Sequence, residues 1–146
     1  DGDSWLEFRR VLFRSMENIF IEPTKATPKV FLDFESNVFS IEGQSYPENA
    51  AEFYSQIIKS INTHIKETHL PFILNLKLLY LNTSSTMSFM NLFEKLEDTF
   101  KKKKTHITVN WYYDEKNELA FECGEEFKED FTFPFHIIQD KIHEKQ

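Results

Sequence analysis

Apolar residues recur along this chain with two periods, one typical of strands and one typical of helices. The runs at 30–34 and 38–42 are short and apolar, and the turn pair Ser36-Asn37 lies between them, which predicts a hairpin. From residue 49 to about residue 68 the period becomes helical, and one apolar stripe results. The stripe predicts an amphipathic helix and consists of Ala50, Phe53, Tyr54, Ile57, Ile61 and Ile65.

Two prolines mark the entry to this helix and the strand that follows it. Pro47 suits a first helical turn, with Ser45 or Tyr46 before it as the entry residue. Pro71 ends the helical pattern, and the long apolar run at 72–81 comes directly after it. Such a run predicts a central strand that is buried on both faces.

The rest of the chain continues this exchange of helices and strands. A second amphipathic helix is predicted from about residue 83 to about residue 103, and a strand at 105–113. Segment 117–130 fits both periods, and we favour a helix because acidic residues fill its other side and only Gly124 interrupts it. Residues 133–135 predict an extended tail, and the last few residues are expected to fray.

The order of the predicted elements determines the fold class. They run strand, strand, helix, strand, helix, strand, helix. Helices that connect consecutive strands imply partly parallel pairing, and the hairpin adds an antiparallel edge. We therefore predict a single α/β domain whose mixed, four- to five-stranded sheet carries its helices mainly on one face.

A polar cluster, Asn82-Thr83-Ser84-Ser85, follows the predicted central strand directly. It places hydroxyl groups at a helix start, where backbone N–H groups lack partners and the helix dipole favours negative charge. The residues alone leave two interpretations open: the hydroxyls cap the helix, or one of them accepts a phosphate that controls partner binding. Asn82 is expected to act as a cap or turn residue that supports the loop.

Composition and charge narrow the class of protein. A hydrophobic share of 40% with sixteen Phe is sufficient for a core, and no apolar run reaches the length of a membrane span. The single cysteine fits a reducing cytoplasm, and the net charge of −7 argues against a general nucleic-acid surface. The basic run at 101–104 is explained most simply as cations that complement a helix C-terminus.

Catalytic chemistry finds little support in the sequence. Three Gly cannot form a Gly-rich phosphate loop, and the five His are scattered without the spacing of metal ligands. Cys123 is expected to be a small buried hydrophobic residue rather than a nucleophile. We therefore predict a protein without enzymatic activity and without a cofactor.

The first fifteen residues differ in character from the rest of the chain. Residues 6–15 resemble the translation of a common sequencing-adapter read, and Met16 follows at once. We therefore expect residues 1–15 to be an artefact and the native domain to comprise residues 16–146. The alternative is a genuine short amphipathic leader.

Four short motifs occur in order between about residue 24 and residue 138. They are Ser45-Tyr46-Pro47-Glu48-Asn49, Leu78-Leu79-Tyr80-Leu81-Asn82-Thr83-Ser84-Ser85, Asn110-Trp111-Tyr112-Tyr113-Asp114, and Gly124-Glu125-Glu126-Phe127 followed by Phe133-Pro134-Phe135. In this order they resemble the SiaC-type regulatory phosphoproteins, a family with a STAS-like fold (similar to anti-sigma-factor antagonists). The chain departs from the family pattern in its wealth of Phe and Lys and in its divergent ends.

The resemblance implies a non-enzymatic switch in a bacterial cytoplasm. Phosphorylation is expected on Thr83, with Ser84 and Ser85 as alternative acceptors. The unphosphorylated form of such a protein binds and activates a diguanylate cyclase, which promotes cyclic-di-GMP synthesis and biofilm formation. A Ser/Thr kinase with a histidine-kinase-like ATP domain and a PP2C-type phosphatase set its state, and neither nucleic acid nor a membrane is an expected partner.

Segments that lead into helices supply the candidate contacts with a partner. A STAS-like sheet would bring two such segments together, although a role in helix entry explains the first four residues equally well. The candidate contacts are Tyr46, Pro47, Glu48, Asn49 and Tyr80. Two alternatives to the switch remain: a constitutive scaffold in which Thr83 is only a cap, and a sensor or enzyme with a pocket at the helix starts.

Overall fold

The computed structural model describes Ser4, residues 17–103 and residues 105–140. Within these residues the chain forms six strands and three helices. The strands are β1 (Ile19–Ile21), β2 (Lys29–Asp33), β3 (Val38–Ser45), β4 (Phe72–Leu81), β5 (Ile107–Asp114) and β6 (Phe135–Asp140). The helices are α1 (Ala50–Thr68), α2 (Thr83–Lys103) and α3 (Glu118–Glu129). The expected artefact at 1–15, Ser4 aside, and the fraying expected beyond residue 140 lie outside the described residues.

One mixed sheet contains all six of these strands in sequence order. β1, β2 and β3 pair antiparallel, whereas β3, β4, β5 and β6 pair parallel through the helices that connect them. The α/β class, the mixed sheet and the hairpin of β2 and β3 are therefore confirmed. The predicted count of four to five strands is too low, because the sequence pattern reveals neither β1 nor β6.

β6 takes the place of the predicted extended tail. It pairs in parallel with β5, and the Val109 N–H donates to the carbonyl of Pro134 at 2.9 Å just before β6 begins. The Phe135 ring stacks on Trp111 of β5 with a centroid distance of 6.3 Å. Burial along β6 does not alternate, so its sequence lacks the strand period. The neighbouring strand, rather than a local pattern, makes this segment a strand.

Aromatic contacts show that the helices share one face of the sheet. The Tyr54 ring of α1 meets Phe89 of α2 at 5.0 Å between centroids. The Phe93 ring of α2 meets Phe127 of α3 at 4.9 Å and Phe135 of β6 at 5.6 Å. These side chains are buried and belong to one hydrophobic core. The predicted placement of the helices mainly on one face is confirmed.

α3 is the segment with the ambiguous period, and it is a helix as predicted. It packs very closely on the sheet at Gly124, where a Cβ would lie only 2.5 Å from Trp111 Cδ1. The Trp111 Nε1–H donates to the carbonyl of Ala120 at 2.9 Å, which fixes the same contact. Glycine at this position therefore serves helix–sheet packing rather than a break in the helix.

The opposite face of the sheet has no helix on it among the described residues. Along β4 the side chains of Leu74 and Leu76 are buried, whereas those of Ile73 and Leu79 are exposed. The prediction that β4 is buried on both faces is therefore wrong. Its apolar run reflects a buried helical side and an open side on which aliphatic residues remain in solvent.

The start of α1 also differs from the prediction. Ser45 ends β3, and Pro47 precedes the helix instead of lying in its first turn. Asn49 is the N-cap, and its Oδ1 accepts a hydrogen bond from the Glu52 N–H at 3.1 Å. An asparagine side chain satisfies an unpaired N–H group of the first turn, which a proline at N1 cannot do, so the cap determines the start.

Candidate functional site

The segment after β3 and the segment after β4 meet at one edge of the sheet. β3 and β4 are parallel neighbours, and Ser45 lies opposite Leu81 in their register. The Asn82 N–H donates to the carbonyl of Ser45 at 3.0 Å, and its Nδ2 donates to the carbonyl of Pro47 at 3.4 Å. The rings of Tyr46 and Tyr80 form an edge contact at 6.1 Å between centroids. The expected proximity of the two loops is therefore present.

Asn82 supports the start of α2 in the manner of an N-cap. Its Oδ1 accepts a hydrogen bond from the Ser85 N–H at 2.9 Å, three residues along the chain. Its carbonyl accepts from the Thr86 N–H at 2.9 Å and from the Thr86 hydroxyl at 3.1 Å. The cap is thus an amide, and none of the hydroxyls of the cluster is needed for it.

The three hydroxyl residues of the cluster lie in different environments. Thr83 is exposed at the first residue of α2, and its hydroxyl has no hydrogen-bond partner among the described residues. Ser84 is also exposed, and its hydroxyl donates to Asn82 Oδ1 over a long 3.4 Å. Ser85 is fully buried. The interpretation of Thr83 as the helix cap is wrong, because Asn82 fills that role.

Ser85 belongs to a buried row of hydroxyl groups beneath the cluster. Its Oγ lies 2.7 Å from Ser45 Oγ, which in turn lies 2.7 Å from the phenol oxygen of Tyr54. Burial raises the pKa of Tyr54 to about 12, so the phenol stays protonated and can donate. The row ties the end of β3 to α1 and α2, and it fixes the backbone on which Thr83 is carried.

The charge at the start of α2 is unusual among the three described helices. The first turn of α1 contains Glu52 and that of α3 contains Glu118, whereas the first turn of α2 contains no acidic residue. The positive end of the α2 dipole and the N–H groups of its first residues therefore have no carboxylate from their own first turn beside them. An added negative charge at Thr83 would be stabilised there.

The candidate contacts with a partner differ in their exposure to solvent. Tyr46 and Pro47 are half-buried, whereas Glu48, Asn49 and Tyr80 are exposed. Asn49 caps α1, so its side chain has a structural role in addition to any contact with a partner. Together with Thr83 these residues lie on the two segments that meet at this edge of the sheet.

Comparison with known proteins identifies the family. The sequence model of the "SiaC family regulatory phosphoprotein" matches residues 21–140, which include β2 to β6 and the whole candidate site. The chain belongs to the SiaC family. It is therefore a regulatory phosphoprotein rather than an enzyme, and the prediction made from its motifs is confirmed.

Relatives of the family extend over nearly the same length. An uncharacterized protein of Pseudomonas aeruginosa (strain UCBPP-PA14) is 37% identical over 122 residues, which cover 84% of this chain and 96% of that protein. The structure of SiaC of P. aeruginosa is 34% identical and superposes with a TM-score of 0.80, covering 85% of this chain and 99% of that one. A second structure shows the diguanylate cyclase SiaD in complex with its activator SiaC from the same species. That SiaC is 36% identical, with a TM-score of 0.80 and coverages of 84% and 99%.

Sequence reasoning missed two exposed apolar residues, one near the polar cluster at 82–85 and one at the start of α3. Met87 is 67% exposed one helical turn after Thr83, and Leu119 is 74% exposed at the start of α3. A cleft of about 220 Å³ separates the end of β4 from this part of α3. The Asn117 Nδ2 donates to the Leu79 carbonyl at 3.0 Å across it. Met87 could have been found from sequence, because it falls outside the apolar stripe of α2.

The remaining residues considered for catalysis, metal binding or charge recognition show no second functional site in the described part of the chain. Cys123 is half-buried, and burial together with Glu126 raises its pKa to about 11, so its thiol is a poor nucleophile. Among the described residues no group of His, Cys, Asp and Glu could hold a metal ion. No helix in the described part of the chain is long and apolar enough to cross a membrane. Lys101 and Lys102 pair with Glu97 and Asp98 on their own helix, each at 3.4 Å.

Proposed function

We propose that this SiaC-family protein is a partner switch controlled at Thr83. With Thr83 unmodified it binds and activates a diguanylate cyclase in the bacterial cytoplasm, and phosphorylation of Thr83 prevents binding. The observation that carries the proposal is the exposed, unbonded hydroxyl of Thr83 at the start of α2. The class of effector is suggested by the complex of SiaD with its activator SiaC from P. aeruginosa.

Thr83 is a better acceptor of phosphate than either neighbouring serine. A kinase must reach the hydroxyl oxygen, and the Ser85 oxygen is fully buried in the row with Ser45. The Ser84 hydroxyl is accessible but is engaged with Asn82. Thr83 alone combines exposure with a free hydroxyl, which supports it over Ser84 and Ser85.

A phosphate at Thr83 is compatible with the folded domain. It adds a charge of roughly −1.5 to −2 beside N–H groups that lack partners, and no acidic side chain in the first turn of α2 opposes it. The free energy of unfolding should therefore change little. A partner that approaches Tyr80 and Met87 would instead meet a dianion in a largely apolar contact, at a cost in desolvation.

Two enzymes set the state of the switch in this proposal. A Ser/Thr kinase with a histidine-kinase-like ATP domain adds the phosphate, and a PP2C-type phosphatase removes it. Both must reach the same exposed hydroxyl that borders the surface for the cyclase. The effector, the kinase and the phosphatase therefore compete for one edge of the sheet.

The proposal is tested first by mapping phosphate with intact and peptide mass spectrometry. The chain is co-expressed with the candidate kinase from its own genome, beside the variants Thr83→Ala and Ser84→Ala. One phosphate on Thr83 is expected in the wild type and in Ser84→Ala, and none in Thr83→Ala. Each form is then added to the candidate diguanylate cyclase from the same genome, and cyclic-di-GMP is measured.

The cyclase assay separates the switch from a constitutive scaffold. Unmodified chain and Thr83→Ala are expected to activate the cyclase, whereas the chain phosphorylated at Thr83 is not. Equal activation by the phosphorylated and unmodified forms would remove the switch. Absence of phosphate at Thr83, with the kinase active on another substrate, would favour the scaffold alternative.

A further inference from the structure

A long groove lies between α1 and α2 and opens beside the candidate site. It has a volume of about 630 Å³, and Ser84 lines the end nearest the start of α2. Ser55 from α1 and Ser88 from α2 also line it, and their short side chains leave the space open. A partner's helix could pack between these two helices as a third, because side chains of one helix fit the grooves formed by others.

The part of the groove farther from the candidate site is positively charged. Lys59 of α1 and Lys95 of α2 line it, and no carboxylate does. Neither lysine forms an ion pair with another described residue, whereas Lys101 and Lys102 farther along α2 do. This local cation pair stands out in a chain whose net charge is −7. A partner of negative charge is therefore complementary to it.

The groove also offers an apolar anchor. Met87 lines it and is 67% exposed, although methionine is a residue that cores commonly bury. A flexible thioether adapts to the apolar ridge of a docking helix, which is a common use of methionine at binding surfaces. Beyond this groove Lys66, Glu94 and Asp98 line a smaller cleft with Lys95, so charges of both signs begin there and the positive part of the groove is limited to Lys59 and Lys95.

From these observations we infer that the groove between α1 and α2 binds an amphipathic helix with acidic flanks, supplied by the effector. The apolar ridge of that helix packs on Met87, and its carboxylates lie against Lys59 and Lys95. This inference rests on the proposed function and deepens it. A phosphate on Thr83 adds its charge next to Ser84, at the mouth of the groove, where it repels the acidic helix.

The test uses the chain with two synthetic helices as probes. One is an amphipathic peptide of about 18 residues, five turns, built from Leu, Ala and Glu, and its twin replaces every Glu by Lys. Amide chemical shifts of the isotope-labelled chain are followed during titration with each. The acidic peptide is expected to shift the amides that line the groove, and the basic twin is expected to bind far more weakly.

A matched pair of double variants assigns the binding to the two lysines. Lys59→Glu with Lys95→Glu is expected to weaken the acidic peptide at least about tenfold. Lys102→Glu with Lys128→Glu makes the same change in net charge outside the groove lining and is expected to leave the affinity within about twofold. Far-UV circular dichroism checks that both variants fold.

Several outcomes would overturn the inference. Equal binding of the basic twin, shifts confined to another surface, or equal weakening by both double variants would each do so. Tight binding of a short single-stranded RNA in the groove, with no effect of the acidic peptide, would assign the groove to nucleic acid instead.

The cyclase assay distinguishes this inference from the proposed function. If the wild type activates the cyclase and the Lys59 and Lys95 double variant activates it equally, the groove is not the docking site, although the switch stands. If the wild type fails to activate the cyclase while the acidic peptide still binds the groove, the proposed function fails and the groove remains a helix-binding site.

Discussion

Replacement of Asn82 tests whether the helix cap and the proposed phosphorylation switch depend on different residues. Asn82→Ala removes the Oδ1 that accepts the Ser85 N–H at 2.9 Å and the Nδ2 that reaches the Pro47 carbonyl at 3.4 Å. Loss of an N-cap costs about 0.5–2 kcal/mol of the free energy of unfolding. Thr83→Ala removes an exposed hydroxyl without a partner among the described residues, so its cost should stay within about 0.5 kcal/mol.

Urea unfolding followed by far-UV circular dichroism measures both changes under the same conditions. In a thermal scan the loss at Asn82 corresponds to a fall in Tm of roughly 2–8 °C per kcal/mol for a domain of this size. Asn82→Asp is the matched control, since aspartate caps as well as asparagine but lacks the Nδ2 donor. A silent Asn82→Ala, or a Thr83→Ala that costs as much, would refute the separation of the two roles.

Three further predictions concern the core. Gly124→Ala should lower the free energy of unfolding, measured in urea, by about 1–3 kcal/mol, because the new Cβ would lie 2.5 Å from Trp111 Cδ1. An unchanged free energy would show that α3 can move away from the sheet. Tyr54→Phe should lower the free energy of unfolding by about 0.5–1.5 kcal/mol in the same measurement, because it loses the hydrogen bond to Ser45 while Ser45 keeps its bond to Ser85. An unchanged urea midpoint would mean that the row of hydroxyl groups does not stabilise the fold. Burial, opposed by Glu67, lowers the pKa of His64 in the folded protein below its unfolded value of about 6.5, so its contribution to stability is complete above that pH and is lost as pH falls through the folded pKa. The urea midpoint should therefore fall less between pH 7 and pH 5 in His64→Gln than in the wild type, and an equal fall would refute this role of His64.

The elements with a clear period could be predicted from sequence, whereas those specified by their neighbours could not. The stripe of α1 and the spacing of four in α3 identify both helices, because a helix marks its buried side within its own residues. β6 has no alternation and becomes a strand only because β5 offers it an edge. The exposed side of β4 was missed for a related reason, since an apolar run does not reveal which layer lies on each face.

The candidate site shows the same limit. The polar cluster at Asn82 and Thr83 could be recognised from sequence as a helix start, because cap and turn residues have local preferences. The burial of Ser85 could not be predicted from sequence, because it depends on Ser45 and Tyr54 from distant parts of the chain. The groove beside Lys59 arises from the packing of two helices, which no single segment encodes.

The buried row of hydroxyl groups has a consequence for how quickly and tightly a partner can bind. Because Ser85 is locked to Ser45, and Asn82 to the backbone of both loops, the start of α2 is already ordered before any encounter. Ordering one flexible side chain on binding costs about 0.5–1.5 kcal/mol, and here that cost falls on exposed side chains such as Met87. The backbone at the start of α2 adds little to it, because it is already held by these hydrogen bonds. In the proposed switch, a phosphate on so rigid a surface would change its charge without changing its shape.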